Sequence, residues 1–158
     1  MSEFNFSEEN EKKFNELKER YPDIKSMMLP SLWIVQEQEG WISLDAMKYL
    51  AKKIGVSEAD VYSVATFYTM FKLEPKGKYH ICLCKTASCK LRGSETIKQK
   101  VEEKLGIKPG ETTKDGKFSF EEVECLGACG NAPAMSLNDE YFENLTPKKI
   151  DEILDGLE

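Results

Sequence analysis

The stretch YHICLC, residues 79–84, decides the fold, because the pattern of the chain changes there from helical to extended. The apolar and aromatic residues from Tyr79 to Leu83 predict a β-strand. Ser94 is placed to cap a helix that runs to Leu105 and ends at Gly106, and Phe118 to Val123 predicts a second strand. Because strand–helix–strand crossovers are right-handed and join parallel strands, we expect these two strands to lie in one sheet.

Two further strands and a helix complete the second half. Ala134 to Leu137 and Tyr141 to Phe142 predict a hairpin across residues 138–140. Thr146-Pro147 places a capping residue before proline at the first helical position, which predicts the start of the last helix. Parallel strands, an antiparallel hairpin beside them and helices on the faces make a thioredoxin-like layout. Such domains often carry a cis-proline just before the hairpin, so we expect a cis peptide bond before Pro133.

The first half is predicted to be a small bundle of four short helices. Residues expected at helix starts are Ser7, Ser43 and Ser57, and those expected at helix ends are Pro22, Gly40 and Gly55. The last of the three starts resembles a capping box completed by Asp60. We expect the aromatic cluster of Phe67, Tyr68 and Phe71 to belong to the core of this bundle.

A linker separates the two halves. Residues 74–78, EPKGK, interrupt the helical pattern with proline and glycine. The predicted fold class is α+β, with a helical bundle over residues 1–74 and a thioredoxin-like domain over residues 75–158 that contains a four-stranded mixed sheet. A chain of 158 residues is long enough to give both parts a core.

The composition indicates a soluble globular protein. Hydrophobic residues make up 41% of the chain and charged residues 32%, and the apolar runs are too short to cross a bilayer. The formal charge of −6, with basic residues scattered among acids, argues against a nucleic-acid surface. The acidic start lacks the features of a signal peptide, so we expect a cytoplasmic chain. Thiols stay reduced in that compartment, and clustered cysteines there more often hold metal or take part in redox chemistry.

Four of the five cysteines form two pairs, Cys84-x4-Cys89 and Cys125-x3-Cys129. Each pair follows a predicted strand, and the carboxyl ends of neighbouring parallel strands meet at one edge of a sheet, where open α/β sheets bind ligands. All four thiolates are therefore expected within reach of one metal centre. The two gaps suit a binuclear iron cluster with one pair on each iron. A zinc-stabilised interaction module without redox function is the alternative.

The remaining cysteine and the only histidine are expected to have no role in this centre. Cys82 is predicted to be a buried, inert strand residue, and His80 a residue of the surface or rim. One histidine cannot make a Rieske site, which needs two. The chain also lacks a G-x-G-x-x-G motif and a P-loop, so NADH and flavin would have to bind another polypeptide.

The residues around the cysteines resemble a known family. Cys84-x4-Cys89 followed by CLGACGNAP, residues 125–133, is similar to the small [2Fe–2S] subunit of bacterial NADH:quinone oxidoreductase, the 24-kilodalton or E subunit of respiratory complex I. The resemblance continues in VATFYTMF, residues 64–71, in GIKPGETT, residues 106–113, and in LTPKKI, residues 145–150. It covers nearly the whole chain.

This resemblance implies an electron-transfer subunit that carries one [2Fe–2S] cluster and has no catalytic residues of its own. Cys84, Cys89, Cys125 and Cys129 match the ligands of the family. The implied partners are the large subunit that binds FMN and NADH, with which the cluster exchanges electrons, and other subunits of the peripheral arm. The implied location is the cytoplasmic periphery of the inner membrane, without insertion into it.

Two alternatives stay open within the same chemistry. Equivalent subunits serve soluble NAD-linked hydrogenases and formate dehydrogenases, and the sequence separates these poorly from the respiratory form. A free-standing ferredoxin is disfavoured, because a simple carrier has little use for the helical first half.

Overall fold

The computed structural model describes residues 4–138 and 140–157. The chain divides into two compact units, Met1–Pro75 and Lys76–Glu158. The first unit is helical. Its helices are α1 (Glu8–Arg20), α2 (Met28–Glu39), α3 (Leu44–Ile54) and α4 (Glu58–Phe67), with a 3₁₀ turn (Ile24–Met27) before α2.

The predicted boundaries of these helices are confirmed where local capping sets them. The hydroxyls of Ser7 and Ser43 each accept a hydrogen bond from the backbone N–H three residues later. Ser57 and Asp60 form a complete capping box at the start of α4. Gly40 ends α2 in the left-handed conformation with φ of 77°, which favours glycine. These are local interactions, so the sequence alone is sufficient to predict them.

The core of the first unit differs from the expectation at its aromatic cluster. Phe71 is buried, but Phe67 is 77% exposed and Tyr68 is also exposed. The reason is that α4 ends at Phe67, and Tyr68 already has an extended backbone. Helical spacing therefore no longer governs where these rings point, and the prediction that all three belong to the core is wrong. The fully buried side chains that do build this core include Phe14, Met27, Leu32, Ile42, Leu50 and Ile54.

The second unit contains the predicted four-stranded mixed sheet. Its strands are β1 (Tyr79–Cys84), β2 (Phe118–Val123), β3 (Met135–Leu137) and β4 (Glu140–Phe142), in the order β2-β1-β3-β4. β1 and β2 are parallel, whereas β3 is antiparallel to both β1 and β4. The α+β fold class and the thioredoxin-like order of elements are confirmed. The peptide bond between Ala132 and Pro133 is cis, as expected.

Three helices accompany the sheet: α5 (Ala87–Leu91), α6 (Ser94–Leu105) and α7 (Pro147–Asp155). Thr146 caps α7 as predicted, but Ser94 is the first residue of α6 rather than its cap, because Gly93 occupies the capping position. The short helix α5 was not predicted. One face of the sheet packs with α6 and α7 into a single core that includes Ile81, Leu83, Phe120, Met135, Ile97, Val101, Ile150 and Leu154. No helix within the described residues is both long enough and apolar enough to span a bilayer.

Candidate metal centre

Cys84 is the last residue of β1, and its surroundings join the two loops that carry the cysteines. The register of the parallel pair places Cys84 opposite Val123, and the N–H of Lys85 donates to the carbonyl of Val123 at 3.0 Å. The Cys84 thiol donates to the carbonyl oxygen of Glu124 at 3.0 Å and lies 3.2 Å from the hydroxyl of Thr86. The loop after β1 and the loop after β2 therefore meet at one edge of the sheet, as the sequence predicts.

Cys89 lies in α5, the helix that sequence patterns missed. Like Cys84 it is only 2% exposed, and the two pack together with Ala132 and Leu126. The N–H of Lys90 donates a hydrogen bond to the carbonyl of Thr86, the residue before the helix, at 2.9 Å. This bond closes the turn that holds Cys89. A helix of five residues is too short to show apolar periodicity, so the capping position at Thr86 was the one available signal.

The second pair is held differently. Cys125 and Cys129 are both exposed, and all five cysteines are free thiols. Gly127 has φ of 77°, and its N–H donates to the sulfur of Cys125 at 3.3 Å. This is the close approach of backbone to sulfur that a glycine at this position permits. Cys129 begins a 3₁₀ turn that ends at Asn131.

The thiols affect one another's protonation. Burial alone would raise the pKa of Cys84, but hydrogen bonds from the Thr86 hydroxyl and from the N–H groups of Thr86 and Leu126 hold it below its ordinary value. Burial raises the pKa of Cys89, and the neighbouring sulfur of Cys84 and the charge of Cys129 raise it further. Sulfur atoms that repel each other's negative charge in this way are stabilised by a cation placed among them.

This donor set fits an iron–sulfur centre. The two loops that carry the cysteines meet at one sheet edge, and thiolates are the soft ligands that iron–sulfur clusters require. Backbone N–H groups directed at sulfur are the interactions that set cluster potentials. The hydrogen bond from the N–H of Gly127 to the sulfur of Cys125 is of this kind.

His80 and Cys82 do not match their predictions. His80 is 6% exposed rather than a rim residue, and Cys82 is half-buried rather than buried. The segment before β1 folds back over β2, so closely that a Cβ added at Gly77 would come within 2.7 Å of the Phe118 backbone. His80 itself contacts the neighbouring strand β2, where Oε2 of Glu121 lies 3.8 Å from its Nε2. The sulfur of Cys82 lies 3.2 Å from Nε2 of His80, a contact that the alternation of residues along a strand could have indicated.

Comparisons with known proteins agree with this chemistry. The model of the thioredoxin-like [2Fe–2S] ferredoxin family matches residues 14–158. The E subunit of the NADH-quinone oxidoreductase of Rickettsia bellii (strain RML369-C) is 46% identical over 99% of this chain and 96% of its own length. The corresponding E 2 subunit of Rhizobium meliloti (strain 1021) is 44% identical over 87% of this chain and 82% of its own length.

A solved structure shares the fold at low sequence identity. An NAD⁺-reducing [NiFe]-hydrogenase in the air-oxidized state superposes with a TM-score of 0.74 at 20% identity, over 83% of this chain and 22% of the hydrogenase chain. Identity at that level establishes the likeness of fold alone. The family match and the near full-length relatives establish more: this chain belongs to the thioredoxin-like [2Fe–2S] ferredoxin family and, within it, to the E subunits of NADH-quinone oxidoreductase.

Proposed function

We propose that this chain is the electron-carrying subunit of a respiratory NADH:quinone oxidoreductase, and that Cys84, Cys89, Cys125 and Cys129 hold its one [2Fe–2S] cluster. The observation that carries the proposal is the meeting of the two cysteine loops at the carboxyl ends of β1 and β2. The 46% sequence identity to the E subunit of R. bellii, over 99% of this chain, supports the assignment to this complex.

The four cysteines divide into an inner and an outer pair. Cys84 and Cys89, the inner pair, are buried, whereas Cys125 and Cys129, the outer pair, are exposed. A cluster held there supplies a one-electron carrier with one side protected and the other side near the surface. The residues of this chain fix the inner sulfurs and direct backbone N–H groups at sulfur, which stabilises the negative charge of the reduced state.

The exposed outer pair supports electron exchange with a partner. We propose that this partner is the subunit that binds FMN and NADH, together with other subunits of the peripheral arm, at the cytoplasmic side of the membrane. Leu91, on the helix that carries Cys89, is 88% exposed beside the site. It borders a cleft of about 520 Å³ that Pro133 and Leu145 also line. An exposed apolar side chain at the rim of such a cleft suits contact with a protein partner.

A second candidate is the corresponding subunit of a soluble NAD-linked hydrogenase. The likeness of fold to the NAD⁺-reducing [NiFe]-hydrogenase supports this second candidate. The identities of 44% and 46% to E subunits over most of the chain favour the respiratory complex instead.

Affinity purification of the tagged chain from its own cells separates the two candidates. We expect the chain to purify with a membrane-bound complex that contains FMN and reduces quinone with NADH. Purification with a soluble complex that reduces NAD⁺ with hydrogen would instead support the hydrogenase. A preparation of the tagged chain that remains alone and colourless would contradict both candidates.

A further inference from the structure

A second group of metal-binding side chains lies on the same sheet, away from the four cysteines. His80 and Cys82 are two residues apart on β1, so they project from one face, and the core residue Ile81 between them projects from the other. The parallel register places Glu121 of β2 directly opposite Cys82. One ligand atom from each of these three side chains lies within 4.8 Å of the others.

The sulfur of Cys82 and a carboxylate oxygen of Glu121 both lie close to one ring nitrogen of His80. Nε2 of His80 is 3.2 Å from the sulfur of Cys82 and 3.8 Å from Oε2 of Glu121. An imidazole nitrogen carries at most one hydrogen, so it cannot donate a strong hydrogen bond to both neighbours at once. A metal ion placed between the three atoms interacts with all of them. For tetrahedral zinc, bonds of about 2.0 Å to nitrogen and about 2.3 Å to sulfur put these two ligands about 3.5 Å apart, which is close to the observed separation.

Charge and access also suit a divalent cation. The thiolate and the carboxylate together neutralise two positive charges. The other carboxylate oxygen of Glu121, Oε1, is held by the ammonium group of Lys76, which orients the side chain and leaves Oε2 towards His80. The side chain of Glu121 is 32% exposed, whereas that of His80 is 8% exposed. An ion can therefore enter past the carboxylate and meet a preformed, protected histidine.

We propose that His80, Cys82 and Glu121 bind one zinc ion at a site distinct from the four-cysteine centre. A set of one imidazole, one thiolate and one carboxylate is a borderline donor set, which zinc and similar transition metals prefer over magnesium or calcium. Three protein ligands leave the fourth tetrahedral position to water. Cys82 and Cys84 are two residues apart on the strand, roughly 6.6 Å, so the two centres are neighbours and do not share a ligand. The site does not depend on the proposed electron-transfer function.

Zinc titration of the full-length chain, purified with its iron–sulfur centre, tests the site. Isothermal titration calorimetry is run while the visible absorption of the centre is recorded. We expect one zinc ion to bind per chain without loss of that absorption. If no zinc binds, or if zinc binds only as the absorption disappears, the proposal is wrong, because in the latter case the ion occupies the cluster cysteines.

Two near-isosteric substitutions and a matched control locate the ion. Cys82→Ser and Glu121→Gln each remove one ligand with little change in shape, and each should weaken zinc binding by at least about tenfold. Glu122→Gln is the matched control. Glu122 is the next residue on β2, its side chain is directed to the opposite face of the sheet, and its Oε2 lies 3.6 Å from the ammonium group of Lys98. This control should bind zinc as the unaltered chain does. Equal affinity in all four proteins would overturn the proposal.

X-ray absorption at the zinc edge supplies a readout that does not depend on affinity. We expect one sulfur and two or three nitrogen or oxygen ligands around the ion, with the sulfur lost in Cys82→Ser. A zinc ion surrounded by two or more sulfurs would assign the binding to the four cysteines and contradict the proposed site.

Discussion

The inner and outer cysteine pairs lie on two loops that meet at one sheet edge, but their surroundings are very different. Cys84 ends a strand and Cys89 lies on a helix, and both are buried against Ala132 and Leu126. Cys125 lies in a loop and Cys129 begins a single 3₁₀ turn, and both are exposed. The difference indicates that the inner sulfurs are positioned by the fold before any metal binds, whereas the positions of the outer sulfurs depend more on the bound centre.

Serine substitution should remove far more iron when it is made in the inner pair than when it is made in the outer pair. An iron–oxygen bond is shorter than an iron–sulfur bond, so a serine ligand must move towards the metal. In Cys84→Ser and Cys89→Ser the introduced hydroxyl cannot move towards the iron without disturbing a strand or a packed helix. We therefore expect almost complete loss of bound iron. Cys125 and Cys129 lie on exposed turns that can shift towards the metal. Part of the iron should therefore be retained in Cys125→Ser and in Cys129→Ser. Iron is measured per chain, and equal losses from both pairs would contradict the distinction.

Alkylation of the cluster-free chain should distinguish the two pairs by their access to solvent. Thiol reactivity depends on both the thiolate fraction and access, and the lowered pKa of Cys84 favours the inner pair while burial opposes it. We expect access to decide. A local opening that costs about 1.4 kcal/mol already slows reaction about tenfold, so Cys125 and Cys129 should react with iodoacetamide at least about tenfold faster.

Peptide mapping by mass spectrometry gives the order in which the four thiols react. The control is the same reaction in concentrated urea, where all four should react at similar rates. If Cys84 or Cys89 reacts first in the folded chain, the inner pair is not protected as described.

Removal of one hydroxyl should alter the inner pair alone. Thr86→Val takes away a hydrogen bond that lowers the pKa of Cys84, so the pKa rises. A thiol with a lowered folded-state pKa stabilises the fold fully above its ordinary pKa, and that contribution is lost as the pH falls through the lowered value. The variant lacks this contribution. Its deficit in unfolding free energy should therefore widen as the pH rises from about 7 to about 10.

Urea unfolding of the cluster-free chain at several pH values measures the deficit. Thr96→Val on the exposed side of α6 serves as the matched control and should show no such dependence. A deficit that stays the same at every pH would mean that the Thr86 hydroxyl does not act through the charge of Cys84.

The smallest expected effect concerns the loop of the outer pair. Gly127→Ala forces a Cβ into the left-handed region at φ of 77°, which costs about 1 to 2 kcal/mol. The strain should loosen the N–H contact to Cys125 and speed loss of the cluster to an iron chelator. Gly130→Ala is the control, because its added Cβ meets nothing within 4 Å and its φ is not positive. Equal rates of loss in the two variants would mean that the conformation of Gly127 does not hold the outer pair.

Local signals account for what the sequence could predict. Ser7, Ser43 and Ser57 cap helices through contacts within three residues. The parallel pairing of β1 and β2 follows from the long helical connection between them, and it was sufficient to expect both cysteine loops at one edge.

The features that could not be predicted depend on neighbours distant in sequence or on very short elements. The side chain of His80 has a neighbour on another strand, Glu121 of β2, whose Oε2 lies 3.8 Å from Nε2 of His80. The exposure of Phe67 depends on where α4 stops, and helical periodicity does not give that position. The helix α5 has only five residues, fewer than two turns.

Quantification of iron, acid-labile sulfide and zinc in the chain purified without oxygen shows whether the four cysteines hold a [2Fe–2S] cluster. We expect two irons and two sulfides per chain, a red-brown colour, and loss of both elements when Cys84→Ser and Cys89→Ser are combined. A colourless chain whose only metal is zinc held by the four cysteines would contradict the proposed cluster, as would iron and sulfide that remain complete in the double variant.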